Sequence, residues 1–242
     1  MTQDLLKSLN ILLADASPHV RHLLKAILAS LGAQKIVEVA DGAEAFKEMR
    51  HFRPDLVFCD MVMSPLDGID FTHLVRNGTD SPAPFVPIIM VSAYTERNKV
   101  FAARDAGVNE FVAKPVSATI ISRHLHATLT APRSFVLTRG FFGPDRRRHP
   151  DASFRGTEHR SEQGECQIFH PSVSGPPSEW LYMPHNPPTA QAVNASIPEL
   201  RRQLHGEKSR SVPSTGPEPT GRTPEFSATL QAAPPPPSHL VH

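Results

Sequence analysis

Two periods alternate along the first 130 or so residues: short apolar runs, and apolar positions three and four apart. Residues 10–14 (NILLA) are such a run, ending at Asp15. Ser17 and Pro18 follow, a capping hydroxyl and a proline suited to the first helical position. Val20, Leu23, Leu24, Ile27, Leu28 and Leu31 then recur at helical spacing until Gly32. The alternation repeats. Strands are predicted at 36–40, 55–59, 87–91 and 110–113, running into Asp41, Asp60, Ser92 and Lys114. Helices are predicted over 43–50, 69–76, 96–106 and from Ser117 to about Leu129, with a polar loop at 77–84.

Five βα units of this kind predict a parallel sheet covered on both faces. Right-handed crossovers make it a doubly wound, flavodoxin-like α/β domain, with its site outside the carboxyl ends of the strands. We place this domain at 9–130. From residue 131 the periodicity fades and 18 of the 25 prolines follow, which predicts a Pro-rich, largely disordered tail over 131–242. Within it, 196–205 (SIPELRRQLH) could form a short isolated helix.

A formal net charge of +1 excludes a general affinity for nucleic acid or anionic membranes. Cys59 and Cys166 give no disulfide framework. The N-terminus lacks signal-peptide character and no apolar run is long enough to span a membrane, so a cytoplasmic protein is expected.

The predicted strand ends bring together two carboxylates (Asp15, Asp60), a hydroxyl (Ser92) and an ammonium (Lys114). Carboxylates with backbone oxygen suit Mg²⁺, and the ammonium and hydroxyl suit a phosphoryl group. A carboxylate can itself be the nucleophile. Each residue alone also reads as a turn, cap or solvated group; their joint placement carries the signal. Cys59 should face away from Asp60 as an inert buried thiol, and His124 and His126 should be solvated.

The segments ILLADASPHVRHLL, ADGAEAF, PDLVFCDMVMSPLDGIDF, PIIMVSAYTE and AGVNEFVAKPVS together resemble the receiver domain of bacterial response regulators, over residues 10–129. FFGPDRRR, after the domain, resembles a tail of some stand-alone alphaproteobacterial receivers. The resemblance implies a phosphoprotein of two-component signal transduction with Asp60 as acceptor. Mg²⁺ would be held by Asp15, Asp60 and the Val62 carbonyl. Ser92 and Lys114 would bind the phosphoryl group, Phe111 would be the switch aromatic, and Asp67-Gly68 would shape the loop after Asp60. The implied partners are a histidine kinase or phosphotransfer protein and a downstream protein. The domain would assist its own phosphorylation without being an enzyme otherwise.

Two departures stand out. Ala16 occupies the place of a second acid that usually touches the metal, and Pro65 falls one place later than in the common loop. Ala16 motivates an alternative, a pseudo-receiver adaptor that binds partners without efficient phosphorylation. A related hydrolase would need a general acid/base where Val62 stands. Gly143–Arg147 is loosely echoed by 156–160, which reads as a solvated basic stretch or a repeated docking motif.

Overall fold

The computed structural model describes residues 3–147, 166–172 and 175–184. Five parallel strands, β1 (Asn10–Ala14), β2 (Lys35–Val39), β3 (Leu56–Asp60), β4 (Ile88–Ser92) and β5 (Glu110–Ala113), form one sheet of order β2-β1-β3-β4-β5. Helix α1 (Gln3–Ser8) precedes β1; α2 (Pro18–Ser30), α3 (Gly42–Phe52), α4 (Gly68–Asn77), α5 (Arg97–Ala106) and α6 (Ala118–Thr130) follow the strands in turn. The order reverses between β1 and β3, which opens a crevice at their carboxyl ends. Among the described residues no helix is long and apolar enough to cross a membrane.

The two faces follow from strand parity. Ile11, Leu13, Phe58, Ile89, Val91 and Val112 point to a layer shared with Leu24 and Leu28 of α2 and Ile121 and Leu125 of α6. Leu12, Ala14, Val57, Cys59, Ile88 and Met90 point to the opposite layer, against Ala45 and Met49 of α3, Phe71 and Val75 of α4 and Ala103 of α5. With both faces covered, the central strands β1, β3 and β4 read as nearly continuous apolar runs rather than alternating ones.

Helix starts are fixed by local chemistry. Ser17 accepts the Val20 N–H, Asp41 the Ala43 and Glu44 N–H groups, Asp67 the Asp70 N–H, and Ser117 the Ile120 N–H. α5 ends at Gly107, whose φ of 105° is left-handed.

Within the stretch expected to be a Pro-rich, largely disordered tail, the described residues include regular structure that the sequence pattern did not show. β6 (Phe135–Leu137), β7 (Phe142–Pro144), β8 (Gln167–Ser172) and β9 (Leu181–Pro184) form an antiparallel sheet of order β7-β6-β8-β9, with a 3-10 turn at Pro177–Glu179. Aromatic packing supplies the core that composition concealed. Phe85, from the loop before β4, stacks on Tyr182 at 4.4 Å and meets Phe135, Phe142 and Phe169 edge-on at 5.1–5.6 Å. Gly143 approaches Gly107 so closely that a Cβ on it would lie 2.8 Å from the Gly107 Cα. Trp180 is buried at 7% exposure in the same cluster as Leu6, Leu9 and the α2–α6 layer. The predicted helix at 196–205 and the echo at 156–160 lie outside the described residues, as does all of 185–242.

Arg76 joins this sheet to the first. It is fully buried, donates to the Gly107 and Pro84 carbonyls and to Asn109 Oδ1 at 2.7–3.0 Å, and stacks 5.0 Å from the Phe135 ring centre. Burial pushes its pKa down to about 9, so the guanidinium is still charged at neutral pH.

Candidate functional site

Two strand ends and two loops meet at the carboxyl edge of the parallel sheet. β1 delivers Asp15, only 1% exposed. Its Oδ1 accepts the Ser17 N–H at 2.8 Å, so the residue that caps α2 also orients the carboxylate. Its carbonyl accepts from the Arg21 guanidinium at 2.6 Å. Asp60 is the last residue of β3, and its Oδ1 accepts the Met61 N–H at 2.9 Å.

Lys114 follows β5 and points between the two acids. Its ammonium lies 2.8 Å from Asp15 Oδ2 and 3.2 Å from Asp60 Oδ1. The Lys114 side chain is 20% exposed and that of Asp60 12%, so solvent reaches the cluster only on one side. Ser92 ends β4, fully buried; its Oγ accepts the Tyr94 N–H at 3.0 Å and its carbonyl accepts the Lys114 N–H at 2.8 Å. The hydroxyl hydrogen of Ser92 remains available to a fourth group.

The charges bear on one another. Burial raises the Asp60 pKa, Lys114 pulls it back, and Asp15 pushes it up again, leaving it raised. Burial lowers the Lys114 pKa, but its hydrogen bond to Asp15 and the charges of Asp60 and Asp15 outweigh that and raise it. One ammonium is thus held charged by two acids, yet it is shared and does not fully offset the burial of either. The cluster retains a deficit of positive charge.

That deficit fits the Mg²⁺ that the receiver resemblance implies. Among the described residues no group of three or more His, Cys, Asp or Glu is arranged to hold a metal ion by side chains alone. A cation here would rest on two carboxylates, backbone oxygen, water and ligand oxygens, which is how Mg²⁺ is commonly bound. Asp15 and Asp60 are placed for this by their convergence on one ammonium. Val62 lies two residues past Asp60 with its side chain 51% exposed, so its backbone carbonyl is what it has to offer. Ala16, beside Asp15, is exposed and adds no donor.

The loop after Asp60 is held tightly. Gly68 N–H donates to the Met61 carbonyl at 3.0 Å, and a Cβ at Gly68 would overlap the Asp60 carbonyl oxygen. Asp67 caps α4 from the same loop. The Ser64–Pro65 and Lys114–Pro115 peptide bonds are cis. Phe111 on β5 is half-buried against the α3–α5 layer. Cys59 is buried as expected, and burial first, then Asp60, raises its pKa.

Sequence reasoning missed Arg21, which reads as an ordinary helix residue until its reach back to the Asp15 carbonyl is seen. It also misplaced His124. Rather than being solvated, its Nδ1 lies 3.2 Å from Oε2 of Glu110, a buried β5 residue, because α6 lays that face on the sheet edge.

Comparison with known proteins bears on residues 11–126, which match the response regulator receiver domain. The chain is 32% identical over 119 residues to the chemotaxis protein CheY of Bacillus subtilis, covering 49% of this chain and 96% of that protein. It is 30% identical over 117 residues to CheY of Pseudomonas aeruginosa, covering 48% and 93% respectively. It is 35% identical over 112 residues to a protein-glutamate methylesterase/protein-glutamine glutaminase of Myxococcus xanthus, but that is 46% of this chain and only 31% of the other. Among solved structures, the receiver domain of sensor histidine kinase PA1611 from P. aeruginosa, described with a magnesium ion in its active site cleft, is 30% identical. The alignment covers 49% of this chain and 94% of that one, with a TM-score of 0.45.

Proposed function

This chain belongs to the response regulator receiver family of two-component signalling, and on that premise we propose that it is a phosphorylation-driven switch whose acceptor is Asp60. The observation that carries the reading is the single ammonium of Lys114 set 2.8 Å from Asp15 and 3.2 Å from Asp60, with Ser92 one strand away.

In this mechanism an Asp60 carboxylate oxygen attacks the phosphorus of a phosphohistidine on a histidine kinase or phosphotransfer protein. The new O–P bond forms as the P–N bond breaks, and the imidazole, already protonated on its other ring nitrogen, leaves as the neutral base. Phosphoryl transfer asks the protein chiefly for positioning and charge neutralisation. Asp15, Asp60 and the Val62 carbonyl would hold Mg²⁺, which would supply positive charge to the phosphoryl oxygens. Met61 N–H, already bonded to Asp60 Oδ1, orients the nucleophile. Lys114 exchanges its contact with Asp60 for one to a phosphoryl oxygen while keeping Asp15. Ser92 turns its hydroxyl hydrogen to another phosphoryl oxygen. The space this vacates is taken by Phe111, and the face built by α5 and β5 changes for a protein partner. The chain acts by protein contacts, and is not an enzyme in other respects.

Ala16 supports a second reading, an adaptor with little phosphorylation, because it leaves the metal one acid fewer than is usual. Incubation with acetyl phosphate and Mg²⁺ on a phosphate-affinity gel separates the two. A retarded band in wild type that is absent in Asp60→Asn supports the switch. Retardation only in Ala16→Asp supports the adaptor, and retardation of Asp60→Asn at wild-type level overturns Asp60 as acceptor.

A further inference from the structure

The opposite, amino-terminal edge of the parallel sheet carries a cavity of about 580 Å³. That lies within the ~300–1,000 Å³ typical of small-molecule sites. Three separate stretches of chain wall it: the end of α3 with Arg50, Arg53 and Pro54; the approach to β4 with Phe85; and the 3-10 turn with Pro177 and Trp180. The cavity is therefore made only where the appended sheet meets the receiver.

Its lining mixes apolar side chains with two solvent-exposed guanidiniums, of which one, Arg53, is unpaired among the described residues. Pro54, Pro177, Phe85 and Trp180 give rigid apolar surface. The Trp180 indole N–H already donates to the Gly175 carbonyl at 3.1 Å, so the ring has no polar demand left to meet. Arg50 is paired with Asp80 and lies over the Phe46 ring. Arg53 differs. Its backbone is fixed by an N–H bond to Met49 and by Asn10 on its carbonyl, but among the described residues its guanidinium has no hydrogen-bond or ion-pair partner. One free guanidinium at an apolar cavity suits a monoanion with an apolar body better than a polyphosphate, which needs several cations.

We infer that this cavity binds a small organic acid, its carboxylate paired with Arg53 and its ring or alkyl body against Trp180, Phe85 and the prolines. The site stands on the order of 16 Å from Asp60, the length of a five-residue strand at ~3.3 Å per residue, so its ligand does not compete with a phosphoryl group. Occupancy also clamps the turn at Pro177–Glu179, which Asp55 holds through the Ser178 N–H at 2.9 Å, onto the receiver. A ligand touching both parts favours the docked state by mass action.

The test uses the full chain and its single tryptophan, which forms part of the wall. Trp180 emission and calorimetry are followed while 3-phenylpropionate, octanoate, or the matching alcohols are added. The inference predicts saturable binding of at least one acid in the sub-millimolar range. The matching alcohol binds roughly tenfold more weakly, the loss expected of one charge-assisted hydrogen bond. Arg53→Asn, chosen because Asn tolerates the left-handed backbone at φ 47°, removes the preference for acid over alcohol. No saturable binding of either acid overturns the inference, as does equal affinity of wild type for acid and alcohol. Because these two arms need no variant, a misfolded Arg53→Asn does not shelter the inference.

Discussion

Gly68→Ala is a sharp test of how the loop beside Asp60 is held. Gly68 opens α4 and backs directly onto the end of β3. An added Cβ would overlap the Asp60 carbonyl oxygen and stand 3.0 Å from its carbonyl carbon and 3.1 Å from Cys59 Sγ. Ordinary carbon contacts are ~3.5–4.0 Å. Neither neighbour can yield easily: Cys59 is buried at 1% exposure, and both residues are paired to β4. The start of α4 must move instead, by on the order of 1 Å. Overpacking of this kind costs about 1–3 kcal/mol. For a chain of this size that corresponds to a fall in melting temperature of roughly 2–12 °C. The same shift disturbs the Met61–Gly68 hydrogen bond beside the acceptor, and a misplacement of ~1 Å can slow a positioned reaction on the order of 100-fold. Melting followed by circular dichroism and the initial rate of labelling by acetyl phosphate measure the two effects. A Gly68→Ala protein that melts within about 1 °C of wild type and labels at the same rate would refute the argument.

Phe135→Ala removes the ring that meets Phe85, Phe142, Tyr182 and Arg76; it should cost about 3–5 kcal/mol and shift Trp180 emission to the red, and unchanged emission would show that Trp180 burial does not depend on the aromatic cluster. Lys114 has a raised folded pKa, so its contribution to stability is complete below the ordinary value of 10.5 and is lost as pH climbs through the folded value. Alkaline melting curves should therefore fall more steeply for wild type than for Lys114→Met, and superposable curves would contradict this. The raised Asp60 pKa has the opposite consequence: its ionisation opposes folding at neutral pH, so Asp60→Asn should melt no lower than wild type at pH 7. Ala16→Asp adds a carboxylate beside Asp15 and should tighten Mg²⁺ binding roughly tenfold by calorimetry, a discounted share of the ~4 kcal/mol that opposite charges at 4 Å reach at intermediate dielectric; an unchanged affinity would remove Ala16 as the cause of weak binding.

The five βα units were legible because β1, β3 and β4 are buried along nearly their whole length and four of the five helices that follow the strands, α2, α3, α4 and α6, carry a capping residue. Asn10–Ala14 and Glu110–Ala113 fall on the expected residues, and the other three strands are offset by one. The polar cluster was legible because Asp15, Asp60, Ser92 and Lys114 each stand at or just past a strand end, where the fold alone fixes their company. What the sequence hid depends on contacts between distant segments. α1 has too few residues to show a period, though its Leu6 reaches the core. β6 and β7 are three residues each, below the length at which alternation can be read, and their rings find a core only with Phe85 from the receiver. Three of the eighteen prolines that suggested a tail, Pro144, Pro177 and Pro184, stand at strand ends and a turn. Likewise Glu110 and His124 are unremarkable in sequence and become a pair only when α6 packs beside β5.

Whether Asp60 carries the phosphoryl group is read by mapping the modified residue. Full-length protein is treated with acetyl phosphate and Mg²⁺, the acyl phosphate is trapped by borohydride reduction, and the digest is sequenced by tandem mass spectrometry. The account predicts reduction of Asp60 to homoserine in the treated sample and at no other aspartate. Trapping at a different residue, or none at Asp60 while the protein remains folded, would contradict it.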